Sequence, residues 1–311
     1  MNGLIAPEIV VPAPPDAAPI HDGRRARPSL LLFAALAGSS YIASHYIAVD
    51  HHPYMIALHG LFASTLLLIL IDRDKSFATP RRHWGPLAYC GAGVAATPFL
   101  TLYGSQIVSP GLAAVLVISN ALMIALLSWL LGRKRFTPVQ VVAMAAGFGG
   151  VVAVTLAQGN VEGRPEGVAA LLLAAALIAT MTIVFEPTVR ELGAVAATKR
   201  NFALSFIVAL GVAAGGGLLD FHSAGQSALG LVYGLCSVGA PILLFNVGMR
   251  LVGAADAANY KLLIPFFALL YAALGFGELP DPGSTVAAGV VVASVAVYQR
   301  ASIREERNPQ P

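Results

Sequence analysis

Residues 254 to 278 read AADAANYKLLIPFFALLYAALGFGE. The hydrocarbon core of a bilayer demands about 20 mostly apolar residues of a helix, and this stretch supplies them. Lys261 stands inside it, whereas the rest of the 19 basic residues fall in predicted loops or tails. Pro265 follows four residues later and has no N–H to offer the Lys261 carbonyl. The sequence therefore predicts a free carbonyl at the level of an ammonium within one span. A charge at mid-span costs about 2.5–3.5 kcal/mol on insertion scales and marks function by default. The competing account is a snorkelling side chain, since the helix end lies only about two turns away.

The whole chain has the composition of a membrane protein. Hydrophobic residues make up 57% of the sequence and charged residues 11%. Such apolarity far exceeds what a soluble core needs. The net charge of +3 is spread through short loops, which excludes a nucleic-acid surface. The two cysteines, Cys90 and Cys236, both fall in apolar spans and read as small packing residues, with no disulfide or metal spacing and no cofactor motif. Residues 1–28 are rich in Pro and Ala and read as a disordered cytosolic tail. A second cytosolic tail is expected at 301–311.

Ten hydrophobic spans are predicted, at 29–48, 53–71, 84–107, 110–131, 138–157, 166–186, 199–219, 227–249, 254–276 and 283–300. With the N-terminus inside, seventeen Lys and Arg fall on the cytoplasmic side and Arg164 alone on the other. That asymmetry puts both termini in the cytoplasm. Spacing also divides the chain in two. Gly91 and Pro98 of span three recur in span eight as Gly234 and Pro241, both shifted by 143. Gly132-Arg133 recurs as Gly277-Glu278, shifted by 145, and Pro138 as Pro282, shifted by 144. Ordered matches at nearly one offset indicate duplication. The halves are residues 29–157 and 166–300. Five spans repeated in tandem enter the membrane in opposite senses, the inverted repeat of many secondary transporters.

Two segments, SPGLAAVLVISNALMIALLSWLLGRKRFTPVQVVAMAAGFGGVV and AADAANYKLLIPFFALLYAALGFGELPDPGSTVAAGVVVASVAV, carry a family resemblance. In each, a small-residue helix runs to a Gly-charged boundary and a Gly/Ala-rich helix follows. Over nearly all of residues 29–300 the chain resembles the EamA-type branch of the drug/metabolite transporter superfamily. The resemblance implies a ten-helix, all-α carrier of small metabolites, usually exporting, in a bacterial inner membrane. It implies a cavity lined by helices 1, 3, 4, 6, 8 and 9, with helices 5 and 10 outside. The chain departs from the family pattern at Ala37-Gly38, His59, Gly132-Arg133 and Lys261.

The polar residues inside spans are the candidate binding groups. Gly38, Tyr41 and His45 share one face of span one, and a polar stripe there is expected to face a cavity. His45 and His59 are read either as a proton-coupling pair or as interfacial hydrogen-bonding rings. Asn120 in mid-span four either contacts substrate or bonds across helices. Tyr103 and Asn246 occupy matching repeat positions, as cavity-lining residues would. Asn259 and Tyr260 flank Lys261, with Asn259 projecting nearly opposite to it. Pro98 and Pro241 each leave a carbonyl that lipid cannot satisfy, so they mark either a cavity wall or a packing kink. Glu186 is expected either to pair with Lys261 or to be a solvated helix-end carboxylate. Gly211 and Gly215 form a G-x-x-x-G expected to pack against a neighbouring helix. Together these features point to a secondary carrier of amphiphilic metabolites, with protons as a candidate coupling ion. The alternatives are a channel or scaffold; an enzyme is disfavoured, because no hydrolase, zincin or P-loop motif is present.

Overall fold

The computed structural model describes residues 22–47, 53–72, 76–108, 110–157, 163–217, 228, 231–232, 234–276 and 282–307. Among these, twelve α-helices account for nearly all the chain. The one extended contact is an isolated bridge between Val108 and Gly163. The helices are α1 (Gly23–Ile47), α2 (Pro53–Ile71), α3 (Trp84–Ile107), α4 (Pro110–Ile118), α5 (Asn120–Leu130) and α6 (Pro138–Ala157). The second half holds α7 (Pro165–Leu192), α8 (Ala194–Gly215), α9 (Ala240–Val252), α10 (Ala254–Asn259), α11 (Ile264–Phe276) and α12 (Pro282–Arg307). Among the described residues, six stretches are long and apolar enough to cross a membrane, and Leu58–Ile71 and Ala240–Val252 are shorter apolar helices.

Several boundaries differ from the sequence expectation. Helix α1 begins at Gly23, inside the expected tail, and α12 runs to Arg307, through most of the other. Residues 1–21 and Gly277-Glu278 lie outside the described residues. Helix α7 does not stop at Glu186 but passes through Pro187 to Leu192. Gly193, at φ +85°, then turns the chain directly into α8. Lys199 and Arg200, expected in a loop, are therefore buried residues of α8. Their charges are met by the segment after α2: Lys199 pairs with Asp72 at 2.7 Å, and Arg200 donates to the carbonyls of Ser76 and Ala78.

The two halves pack by one plan. Helix α1 lies against α9 and α11, as α7 lies against α3 and α5. Helix α2 meets the π-turn Leu235–Gly239 ahead of α9, and α8 meets α3. The pairs α2–α8 and α6–α12 map onto themselves when the halves are exchanged. Every one of these contacts has its partner under that exchange, so the duplication read from four short matches is carried by the packing.

The recurrent glycines explain part of it. A Cβ on Gly60 would lie 2.6 Å from the Gly234 Cα, and one on Gly91 would lie 2.9 Å from Leu204 Cγ. Both matched glycines thus mark where one half's helix meets the other's. In α9's approach the π-turn is needed as well. Bonding from i to i+5 brings residues five apart onto one face, so Gly234 and Gly239 both face α2, against Gly60 and Ser64. Gly211 and Gly215 are a correction: both are exposed with nothing within 4 Å, so the G-x-x-x-G packs against no described helix of this chain. Gly234→Leu is accordingly expected to destabilise the purified protein by about 1–3 kcal/mol through overpacking. Gly211→Leu should stay within about 0.5 kcal/mol of the parent in the same denaturation series.

Candidate functional site

Helices α1, α9 and α11 form one trio and α3, α5 and α7 the other, and a cavity of about 340 Å³ lies where they face each other. Its wall is mostly apolar, with Phe33, Val94, Met181, Phe185, Phe245 and Ile264 prominent. Six polar side chains interrupt it: Thr97, Asn120, Thr182, Asn201, Asn246 and Lys261. No described residue of α6 or α12 lines it. Leu61 of α2 and Asn201 of α8 do line it, which the resemblance does not imply.

Lys261 is the cation of this wall. It lies on a 3-10 turn, Tyr260–Leu263, that links α10 to α11. The tighter winding answers the proline by a route that sequence reasoning missed. Ile264 donates its N–H to the Lys261 carbonyl, so that carbonyl is not free despite Pro265. The side chain does not snorkel; it is 8% exposed, and Nζ donates to Asn120 Oδ1 at 2.8 Å. Nζ also sits 4.7 Å from the centroid of Phe245, a desolvated cation–π contact worth about 2 kcal/mol. The Lys261–Asn120 bond joins the two trios across the cavity. Asn120 opens α5 just after the helix breaks at Ser119, and its own Nδ2 donates to Val117 O at 2.5 Å.

The remaining candidates divide. Asn246 lines the cavity and donates to Thr198 Oγ1 at 2.9 Å. Tyr103, at the matching repeat position, is 46% exposed and lies apart from the cavity. Asn259 and Tyr260 are buried but outside the wall. The Tyr260 hydroxyl meets the Arg27 guanidinium, and Asn259 Nδ2 has no partner among the described residues. Tyr41, His45 and Pro98 belong to α1 and α3, but their side chains lie outside the described residues. Gly38, on the stripe expected to face a cavity, instead packs on α11, where a Cβ would lie 2.7 Å from Phe267 Cβ. His59 bonds the Met55 carbonyl of its own helix at 2.7 Å, the hydrogen-bonding alternative. Pro241 is buried just after the π-turn, and Cys236 within that turn is exposed rather than packed.

Glu186 is neither paired with Lys261 nor solvated. It is 7% exposed, accepts from Arg190 Nη2 at 2.6 Å and lies 3.5 Å from Arg133 Nη1. It also accepts the Ala254 N–H at 3.3 Å, tying α7 to the start of α10. Beside it lies a group that sequence reasoning passed over, centred on Asp256. This carboxylate, 3% exposed, accepts from Lys134 Nζ at 3.0 Å, the Tyr298 hydroxyl at 2.8 Å and Ser302 Oγ at 3.1 Å. These bonds clamp the first half's α5–α6 connection to α10 and α12 of the second. The clamp sits at the end of the bundle where the start of α1 meets the end of α12, since a Cβ on Gly23 would lie 3.9 Å from Ile303. The only sequence signal for it was an acid opening a span. Asn201, just inside the start of predicted span seven, carried no local signal that singled it out.

Long apolar helices in two halves of one plan, enclosing a cavity with a buried cation, define an integral membrane protein with an internal cavity. The sequence profile of the EamA-like transporter family matches residues 28–156 and again 165–299, and the chain belongs to that family. Among solved structures, one crystal structure superposes with a TM-score of 0.76 at 17% identity, covering 91% of this chain and 99% of that one. That likeness concerns the fold. No curated protein matches.

Proposed function

We propose that the chain is a secondary active exporter of small amphiphilic metabolites, amino acids and related compounds among them, working by alternating access. The observation that carries this reading is the Lys261–Asn120 bond, which spans the two trios inside an otherwise apolar cavity. Lys261 offers a substrate carboxylate a charge-assisted donor, and the Phe245 and Ile264 walls accept an apolar body. Ten crossings complete the reading, with α4–α5 and α10–α11 each counted as one broken span. Five per half makes the repeats inverted; the lysine–arginine asymmetry supports termini in the cytoplasm, and the membrane in this reading is a bacterial inner membrane. Rocking of one trio against the other would then expose the site to each side in turn. In the present conformation the Glu186 and Asp256 clamps hold the cytoplasmic end together.

Counterflow tests the reading. Proteoliposomes are loaded with unlabelled amino acids, nucleosides and organic cations, and entry of one labelled member of each class is followed. Saturable, accelerated entry of labelled amino acid is expected. Flux that neither saturates nor responds to the internal pool would mean a channel, and no flux of any solute would remove transport.

A further inference from the structure

The hydrogen-bond inventory of the cavity wall points to a second polar subsite. Buried polar groups are normally paired, so those left over are informative. Thr97 and Thr182 donate to carbonyls of their own helices, those of Gly93 and Ile178. Asn120 donates to Val117 O and accepts from Lys261, and Asn246 donates to Thr198. Lys261 has used one of three N–H donors. Asn201 is the exception on the acceptor side. It is 3% exposed in the wall, and its Oδ1 accepts no hydrogen bond among the described residues. Its backbone carbonyl, by contrast, accepts from Ser205 Oγ, which fixes the turn of α8 that holds it. The wall therefore holds spare donors at Lys261 and, at Asn201, a buried acceptor unmet among the described residues, on an apolar lining.

We propose that Asn201 is a specificity-determining residue whose Oδ1 accepts an N–H or O–H from the substrate while Lys261 holds the carboxylate. This rests on the carrier reading above and narrows it. The favoured ligand is an apolar molecule bearing a carboxylate and, on a neighbouring atom, an ammonium, amine or hydroxyl donor. A carboxylate lacking such a donor leaves Oδ1 unpaired, and a cation lacking a carboxylate leaves Lys261 unanswered. Sites built around a hydrogen bond reject analogues that lack the group far more strongly than apolar pockets reject a missing methylene.

The test is binding to the purified protein of three probes with one apolar body and one carboxylate: leucine, 2-hydroxy-4-methylpentanoate and 4-methylpentanoate. The parent protein should bind the two donor-bearing probes at least about tenfold more tightly than 4-methylpentanoate. Asn201→Ala should erase that preference while leaving the affinity for 4-methylpentanoate within about twofold. Asn201→Asp keeps an acceptor of the same shape and should preserve the preference, enlarging it for leucine, whose donor is charged. Equal binding of the three probes by the parent, a preference that survives Asn201→Ala, or binding of none overturns the acceptor role. Each of those results is compatible with saturable counterflow, so the carrier reading stands or falls by its own assay.

Discussion

Lys261→Met is expected to weaken binding of carboxylate-bearing solutes by about 10- to 100-fold and to stop their exchange, with the protein still folded. The magnitude follows from losing one charge-assisted hydrogen bond, about 1.5–3 kcal/mol. Methionine is close in volume to the lysine stem, so the packing against Phe245 and Ile264 survives. The substitution leaves Asn120 Oδ1 without its donor, a cost of about 1–3 kcal/mol. It also removes a buried ammonium whose desolvation opposes folding. These act in opposite directions, so thermal stability should change little. The measurement is paired: affinity for leucine and unfolding temperature on the same preparations. A variant that unfolds early would make Lys261 a structural residue, and one that binds leucine normally would remove the carboxylate site.

Asp256→Ala is expected to have the largest effect on stability, about 3–5 kcal/mol, because it leaves the Lys134 ammonium without its nearest partner. Glu305, 3.9 Å from Lys134, is a poor replacement, and the Tyr298 and Ser302 hydroxyls lose their acceptor as well. Asp256→Asn keeps that acceptor and should cost less. The contrast is Arg25→Ala: Arg25 pairs with Asp22 while 82% exposed, and exposed pairs are worth about 1 kcal/mol or less. Unfolding of the three variants in one detergent orders them. Equal loss in Asp256→Ala and Arg25→Ala would mean that the clamp contributes no more than a surface pair.

What could be read from the sequence was what hydropathy and repetition encode. The duplication rests on glycines that matter because helices of opposite halves touch there, and Gly234 against Gly60 is the clearest instance. Lys261 stood out as a basic residue well inside a predicted span. The structure's answer is a neutral amide 141 residues away, Asn120, a pairing that local pattern cannot supply. Local rules also misjudged charge. Lys199 and Arg200 looked like loop residues, yet α8 buries them because the chain after α2 folds back with its carbonyls. Glu186 looked like a helix end beside Pro187, but α7 carries the proline and continues. Asn201 follows those cations directly at the start of predicted span seven, and nothing in the local sequence marks its carbonyl oxygen as the cavity acceptor left unmet among the described residues.

If the proposed alternating access holds, the halves must part at the clamped end for the cavity to open there. With Cys90 and Cys236 replaced, Lys134→Cys and Asp256→Cys place two thiols where the ammonium and carboxylate now meet at 3.0 Å. Removing both charges avoids the lone buried charge left by either single change. Exchange of leucine across proteoliposomes is then measured before and after a short cleavable cross-link between the two thiols. The account predicts that the cross-link stops exchange, that binding from the opposite side persists, and that reduction restores exchange. Undiminished exchange in fully cross-linked protein would contradict it.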